Sequence, residues 1–227
     1  MRERPYAESA ARNSAPILEV LQNEFHDCKD VLEIGSGTGQ HAIRFAAELE
    51  HLHWQTSDLD QYHEGIRAWI ADSELPNIRA PMTLDVTTAD VPRASYDAVY
   101  SANTAHIMSF DAVIKMFALV GKALRPDGVF CLYGPFRRAG EFNTPSNAAF
   151  DANLRSRDPA MGIRDLEALD ELGEEQGLRR RNLYAVPSNN LVVIWQKIAV
   201  GAASSRDRGK MPLPHSPLPH LPLLRSK

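Results

Sequence analysis

The sequence has little cysteine, no long apolar run and no excess of basic residues. Its two cysteines, Cys28 and Cys131, are far apart and belong to no metal-binding spacing, so we expect a reducing compartment and no metal site. No run approaches the roughly 18 apolar residues of a membrane span, and residues 1–8 carry charges where a signal peptide is apolar. We therefore expect a cytoplasmic protein. The formal net charge of −4 disfavours nucleic acid and anionic membranes as partners.

The chain is long enough for one ordinary hydrophobic core. It has 227 residues, of which 44% are hydrophobic, and we place one domain at residues 1–200. Residues 201–227 differ in character, because prolines recur through "MPLPHSPLPHLPLLRSK". We expect a disordered proline-rich tail there, and a docking peptide is the alternative.

Short apolar strands alternate with amphipathic helices over residues 14–133. Such alternation predicts a parallel sheet covered by helices on both faces. The first helix is expected to begin at Ser14, with Pro16 in its first turn. The predicted strands are 31–34, 52–57, 82–84, 96–102 and 129–133. The helix at 111–124 is expected to bury Val113, Ile114, Phe117 and Val120.

The pattern is lost between residues 134 and 162, which are rich in Asn, Pro, Arg and Phe. We expect a long irregular segment there, and such a segment is usually functional or disordered. A helix over 165–176 then ends at Gly177. Residues 179–186 and 191–196 flank "PSNN" and predict an antiparallel hairpin.

A glycine-rich loop follows the first predicted strand, in "VLEIGSGTGQH". A strand, a glycine turn and a helix together bring a nucleotide-like ligand against the backbone. The glycines are Gly35, Gly37 and Gly39, whereas a dinucleotide fingerprint would place its third glycine at Gln40. An NAD-dependent oxidoreductase is therefore the least favoured alternative, and no Walker loop is present.

Glu33 and these three glycines resemble the first motif of the class I S-adenosylmethionine-dependent methyltransferases. Blocks such as "RNSAPILEVL", "NTAHI", "YGPF" and "PSNNLVVIWQK" further resemble a small methyltransferase-like family of unknown function from bacteria and animals, over residues 5–197. The resemblance implies a Rossmann-like, doubly wound α/β fold. Its seven strands would follow the order 3-2-1-4-5-7-6, with strand 7 antiparallel.

The resemblance also implies S-adenosylmethionine as cofactor, with S-adenosylhomocysteine as product and no metal. Asp58 matches the carboxylate that holds the ribose hydroxyls, and Asp85 matches the one that contacts the adenine amine. Either aspartate taken alone could be a turn residue or a helix cap. Arg12 would pair with the methionyl carboxylate or form a surface salt bridge. The full expected cofactor set is Arg12, Asn13, Glu33, Gly35, Ser36, Gly37, Gly39, Asp58, Leu59, Asp85, Val86 and Asn103.

The end of the fourth strand, "SANTAHI", is expected beside the transferred methyl group. Asn103 would orient the acceptor, His106 would act as a general base or simply pack in the loop, and Tyr133 completes the catalytic set. The expected acceptor lid is Phe136, Asn147, Phe150, Asp151 and Arg155. Arginines make this lid locally basic, which suits an anionic acceptor, although a solvated charge run explains them almost as well.

We thus predict an S-adenosylmethionine-dependent methyltransferase that acts on a small molecule. Methylation of protein or RNA is an alternative, and the acidic composition counts against RNA. A protein that binds the cofactor without catalysis, as a scaffold, is the other alternative. The sequence makes no prediction of oligomeric state.

Overall fold

A computed structural model describes residues 4–199, and the expected tail at 201–227 lies outside these described residues. A seven-stranded sheet forms its centre. Its strands are β1 (Asp30–Ile34), β2 (His53–Asp58), β3 (Ile78–Thr83), β4 (Tyr96–Ala102), β5 (Leu124–Gly134), β9 (Leu178–Val186) and β10 (Asn190–Lys197). The helices are α1 (Glu8–Glu24), α2 (Gln40–Glu48), α3 (His63–Ser73), α4 (Phe110–Ala123), α5 (Pro145–Arg157) and α6 (Leu166–Glu175). Short strands β6 (Phe136–Arg138), β7 (Glu141–Phe142) and β8 (Arg164–Asp165) form a second, small sheet.

The strand order confirms the predicted topology. The order is β3-β2-β1-β4-β5-β10-β9, and β10 runs antiparallel to both β5 and β9. Since β9 and β10 are the sixth and seventh strands of this sheet along the chain, this is the order 3-2-1-4-5-7-6. The hairpin between β9 and β10 turns at Ser188 and Asn189, whose φ values are 65° and 59°. Two consecutive positive φ values are typical of a tight type I′ turn.

Hydrophobic cores lie on both faces of the sheet. On one face, Phe117 of α4 packs against Phe130 and Trp195 of the sheet, with all three ring centroids within 5.6 Å of one another. On the other face, α1 and α2 cover a second cluster that includes Phe45 and Trp54. These two layers hold the carboxyl ends of β1 to β5 at one edge of the sheet, which is where doubly wound folds bind ligands.

Several predicted boundaries were wrong. Helix α1 begins at Glu8 and continues through Pro16, so Arg12 and Asn13 lie within the helix instead of before it. Buried side chains on either side of the proline explain why the helix continues, since Asn13 and Ile17 both pack inward. Strand β3 begins at Ile78 instead of Met82.

The segment at 134–162 is more regular than predicted. It holds β6, β7 and the 13-residue helix α5, which begins after Thr144 with Pro145 in its first turn. The Thr144 side chain accepts a hydrogen bond from the Asn147 amide, which is an ordinary helix start. In α4, Val113, Phe117 and Val120 are buried as predicted, but Ile114 is 39% exposed.

Within residues 4–199, no helix is long and apolar enough to cross a membrane. Over the same residues, no group of three or more His, Cys, Asp and Glu side chains is arranged to hold a metal ion.

Candidate functional site

A cleft of about 470 Å³ lies where β1, β2, β3 and β4 end. Gly35 and Gly37 follow β1, Asp58 ends β2, Asp85 follows β3 and Asn103 follows β4, and all five line the cleft. The remaining lining residues are mostly apolar: Ile34, Leu59, Tyr62, Leu84, Val86, Thr87, Ala102, Thr104, Ile107, Met108 and Ala112. Volume and lining are both typical of a site for a nucleotide-sized ligand.

The glycine loop is close to protein on one side and open on the other. Gly35 has a φ of +74°, and a Cβ placed on it would lie 2.7 Å from Cγ2 of Thr104. Gly37 has a φ of +57°, yet a Cβ placed on it would meet no protein atom within 4 Å. Tertiary packing therefore requires glycine at Gly35, whereas Gly37 leaves free space at the wall of the cleft.

Asp58 holds the loop and keeps acceptor capacity. Its Oδ2 accepts from the Gly37 amide at 2.7 Å, and its Oδ1 accepts from the Leu59 amide at 2.8 Å. Each carboxylate oxygen can accept a further hydrogen bond. Burial raises the pKa of Asp58, and the two amide donors oppose this shift.

Asp85 is held more simply, one residue after Leu84, whose backbone amide donates to the Asp58 carbonyl at 3.0 Å. Its Oδ1 accepts from the amide of Thr87 at 2.8 Å and from its hydroxyl at 2.7 Å. These bonds lower the pKa of Asp85, so the side chain is a carboxylate near neutral pH. Both bonds from Thr87 use the same oxygen, which leaves Oδ2 as an acceptor.

Glu33, Ser36 and Gly39 do not line the cleft. Oε2 of Glu33 accepts from the Ser36 hydroxyl at 2.7 Å and from Nε1 of Trp54 at 3.1 Å. Burial raises the pKa of Glu33 to about 7. The structure therefore places Glu33 as an internal support of the loop, not among the groups that a ligand would meet.

A second, smaller cavity of about 120 Å³ adjoins the cleft at Asn103, which lines both. Asn103 has a φ of 58°, and its backbone N–H donates to the Tyr133 backbone carbonyl at 2.9 Å. This conformation is uncommon for a residue other than glycine, although asparagine tolerates it better than most. The other lining residues are Ser9, Arg12, Asn13, Pro16, Tyr133, Pro187, Ser188 and Asn190.

Arg12, Asn13 and Tyr133 thus lie together, but in this second cavity instead of the cleft. Arg12 pairs with Glu8 one turn earlier in α1, with 3.1 Å between Nη1 and Oε2. The salt bridge is exposed, which agrees with the surface alternative considered for Arg12. Ser9, Ser188 and Asn190 were missed by the sequence analysis, because only the packing of α1 against the β9–β10 turn brings them to the cavity.

His106 lies beneath the loop that follows β4 and lines neither cavity. Its ring packs edge-on against Phe150 with 5.4 Å between the centroids, and Nδ1 lies 3.6 Å from where a Cβ on Gly134 would be. Burial lowers the pKa of His106 to about 4, and the positive charge of Arg164 adds to the effect. This geometry favours the packing role over that of a general base.

Arg164 holds the loop around His106 in place. Its Nε donates to the Ala105 carbonyl at 2.9 Å, and its Nη2 donates to the carbonyls of Met108 and Ala160. This residue was not predicted from the sequence, since an arginine at a short strand carries no distinctive pattern.

None of the five residues expected to form the acceptor lid lines the cleft or the smaller cavity in the described part of the chain. Phe136 packs in the core. Asp151 pairs with Arg155 at 2.8 Å and accepts from the Ile163 amide at 2.7 Å. Asn147 donates to the Asn189 carbonyl at 3.1 Å and so holds the β9–β10 turn. Of these five side chains, Asn147 therefore supports a wall of the smaller cavity from outside it.

Solved structures of methyltransferases share this fold. An O-methyltransferase family protein from Burkholderia thailandensis superimposes with a TM-score of 0.73 at 14% identity, over 84% of this chain and 58% of that one. The S-adenosylmethionine-dependent methyltransferase SibL superimposes with a TM-score of 0.71 at 22% identity, over 83% of this chain and 55% of that one. Human N-acetylserotonin methyltransferase, solved in complex with S-adenosylmethionine, superimposes with a TM-score of 0.73 at 12% identity, over 84% of this chain and 53% of that one. The chain spans little more than half the length of these proteins.

The fold is therefore that of the class I methyltransferases. The sequence profile of one family matches residues 4–197, and the chain belongs to that family, DUF938, described as proteins of unknown function.

Proposed function

We propose that this protein is an S-adenosylmethionine-dependent methyltransferase that acts on a small-molecule acceptor. The observation that carries the proposal is the convergence of Gly37, Asp58 and Asp85 on one cleft of about 470 Å³. Each of the three comes from the end of a different strand, and each has room or acceptor capacity left after its bonds within the protein are counted.

The residues of the cleft fit the cofactor. Asp58 would accept from the two ribose hydroxyls, since a carboxylate can accept from both groups of a diol. Asp85 would accept from the adenine amine, and Leu59 and Val86 would contact the ring faces. The open space at Gly37 would admit the amino-acid part. When bound, this cofactor supplies an electrophilic methyl group.

The chain's own contribution to the reaction would be positioning. Methyl transfer requires the acceptor atom in line with the methyl carbon, so orientation accounts for much of the rate enhancement. Asn103 has access to both the cleft and the smaller cavity. We therefore assign Asn103 the task of orienting the acceptor, and the smaller cavity the task of receiving part of it.

Cofactor binding is tested by calorimetry with S-adenosylhomocysteine and, separately, NAD. We expect S-adenosylhomocysteine to bind and NAD not to bind. Asp58→Asn removes the charge and leaves one acceptor oxygen for the amides of Gly37 and Leu59, and it should weaken binding by about tenfold or more. Asp72→Asn, which changes an exposed aspartate paired with Arg4, is the control and should bind normally. Preference for NAD would contradict the proposal.

Catalysis is tested by incubating the protein with methyl-labelled S-adenosylmethionine and a cell extract. The extract is separated beforehand into metabolites, protein and RNA. Label transferred to the metabolite fraction supports the proposal, whereas label in protein or RNA would replace the substrate class. Cofactor binding without transfer to any fraction would indicate a protein that has kept the fold without the chemistry.

A further inference from the structure

The smaller cavity has a polar lining without negative charge. Seven of its nine lining residues contribute amides, hydroxyls and one guanidinium, the other two are prolines, and none of the nine is acidic. Its volume of about 120 Å³ is a little smaller than that of a cavity known to hold benzene, so it admits a group of a few heavy atoms. The rest of a ligand would extend past Asn103 into the cleft.

A buried relay fixes the orientation of Asn13 at one wall of this cavity. Nε2 of His41 lies 2.7 Å from Oδ1 of Asn13, and Nδ1 lies 3.2 Å from the Tyr100 hydroxyl. Because the side-chain carbonyl oxygen of Asn13 only accepts, Nε2 of His41 carries the proton, and Nδ1 accepts from the Tyr100 hydroxyl. Because Oδ1 of Asn13 accepts from His41, its amide NH₂ points the other way.

The Tyr133 hydroxyl oxygen accepts from Nδ2 of Asn190 at 2.8 Å. The side chains of Asn13 and Asn190 both act to lower the pKa of Tyr133. Burial raises the pKa of Tyr133, so the hydroxyl keeps its proton at neutral pH. The oxygen accepts from Asn190, and the O–H donates to no group among residues 4–199, so it is free to donate to an acceptor group in the cavity.

Arg12 adds positive charge at the same cavity. A guanidinium has five N–H donors, and the salt bridge to Glu8 engages Nη1. The other donors remain for a ligand. A planar guanidinium and a hydroxyl donor together match the two oxygens of a carboxylate.

We propose that the smaller cavity binds a carboxylate group through Arg12 and the Tyr133 hydroxyl, beside Asn103. The proposal rests on the proposed function, since the carboxylate belongs either to the acceptor or to the methionyl end of the cofactor. Asn13 and Asn190 are positioning residues that direct the Tyr133 proton toward it.

The test uses Tyr133→Phe, which removes only the hydroxyl, and Arg12→Gln. Their controls are Tyr6→Phe, at an exposed tyrosine, and Arg44→Gln, whose salt bridge to Glu48 is also an exposed pair one turn apart at 3.2 Å. Circular dichroism first checks that all four variants fold. Calorimetry then measures the binding of S-adenosylhomocysteine and of 5′-methylthioadenosine, which lacks the amino-acid part.

A second measurement addresses the acceptor. Two- to four-carbon hydroxy, amino and thiol carboxylates are titrated into the protein with and without S-adenosylhomocysteine, alongside the matching neutral carboxamides. If the acceptor supplies the carboxylate, some of these carboxylates bind the S-adenosylhomocysteine-saturated protein, the carboxamides do not, and both site variants weaken binding by about tenfold or more.

If the cofactor supplies the carboxylate, both site variants instead weaken the binding of S-adenosylhomocysteine by a similar factor and leave the binding of 5′-methylthioadenosine unchanged. Normal S-adenosylhomocysteine binding in both variants, with no carboxylate bound by the wild type, would overturn the proposal. Absence of S-adenosylhomocysteine binding in the wild type would refute the proposed function instead. The carboxylate titration of the protein alone would then still decide whether the cavity takes this group.

Discussion

Gly37→Ala should lower both the stability of the protein and its affinity for S-adenosylhomocysteine, and the two effects can be measured separately. At a φ of +57°, an L-residue costs about 1–2 kcal/mol relative to glycine. No protein atom lies within 4 Å of the added Cβ, so no clash adds to this figure. For a domain of this size, the melting temperature should fall by about 2–8 °C.

The effect on cofactor binding should be larger than the effect on stability. The methyl group would occupy space at the wall of the cleft, and forced overpacking costs about 1–3 kcal/mol, which corresponds to roughly 5- to 150-fold weaker binding of S-adenosylhomocysteine. Calorimetry on the folded variant measures this directly.

Gly140→Ala is the matched control. Gly140 lies between β6 and β7 with a φ of +78°, and a Cβ placed on it also meets nothing within 4 Å. We expect a similar loss of melting temperature and unchanged S-adenosylhomocysteine affinity. If Gly37→Ala bound the ligand as tightly as Gly140→Ala, the loop would not contact the cofactor and the reasoning would be refuted.

Three other variants test groups in and around the site. Burial raises the pKa of Glu33 to about 7, so the protonated side chain stabilises the folded state below pH 4.5, and this contribution is lost as the pH rises through 7. Relative to the wild type, Glu33→Gln should therefore gain on the order of 3 kcal/mol in free energy of unfolding across this range, measured by urea unfolding. A difference in stability that does not change with pH would contradict the burial of this carboxylate. Because His106 lines neither cavity, His106→Gln should leave the rate of methyl transfer to the metabolite fraction within about threefold of wild type. A loss of roughly a hundredfold or more would instead indicate a general base. Ser109→Ala removes the side chain that accepts from the Ala112 amide at the start of α4, and it should lower the melting temperature by about 2–4 °C in a thermal scan; no change would show that the cap contributes nothing.

Local sequence patterns were sufficient where the chain's chemistry is periodic or unusually restricted. The strand β4 was predicted at its observed bounds, because an apolar run with no helical spacing is bounded by turn residues. Asp58 and Asp85 could be expected near one another, since the carboxyl ends of parallel strands meet at one edge of the sheet. The hairpin turn at 187–189 was likewise readable from its Pro, Ser and Asn residues.

The helix α5 could have been predicted from a local signal that was overlooked. Thr144 followed by Pro145 is a typical helix start, but the weak amphipathicity of the segment made it look irregular. Its observed role is to hold the β9–β10 turn through Asn147, which no pattern within the segment indicates.

The sequence by itself determined the alternation of strands and helices over residues 14–133, the glycine loop and the two carboxylates at the strand ends, because these depend on side-chain periodicity and backbone freedom over a few residues. Only the tertiary structure decided which polar groups face a ligand. Burial removed Glu33 and His106 from the cleft, and the packing of α1 against the β9–β10 turn brought Arg12 and Tyr133 into a cavity of their own. Such contacts join residues more than a hundred positions apart, and their geometry depends on the whole sheet between them.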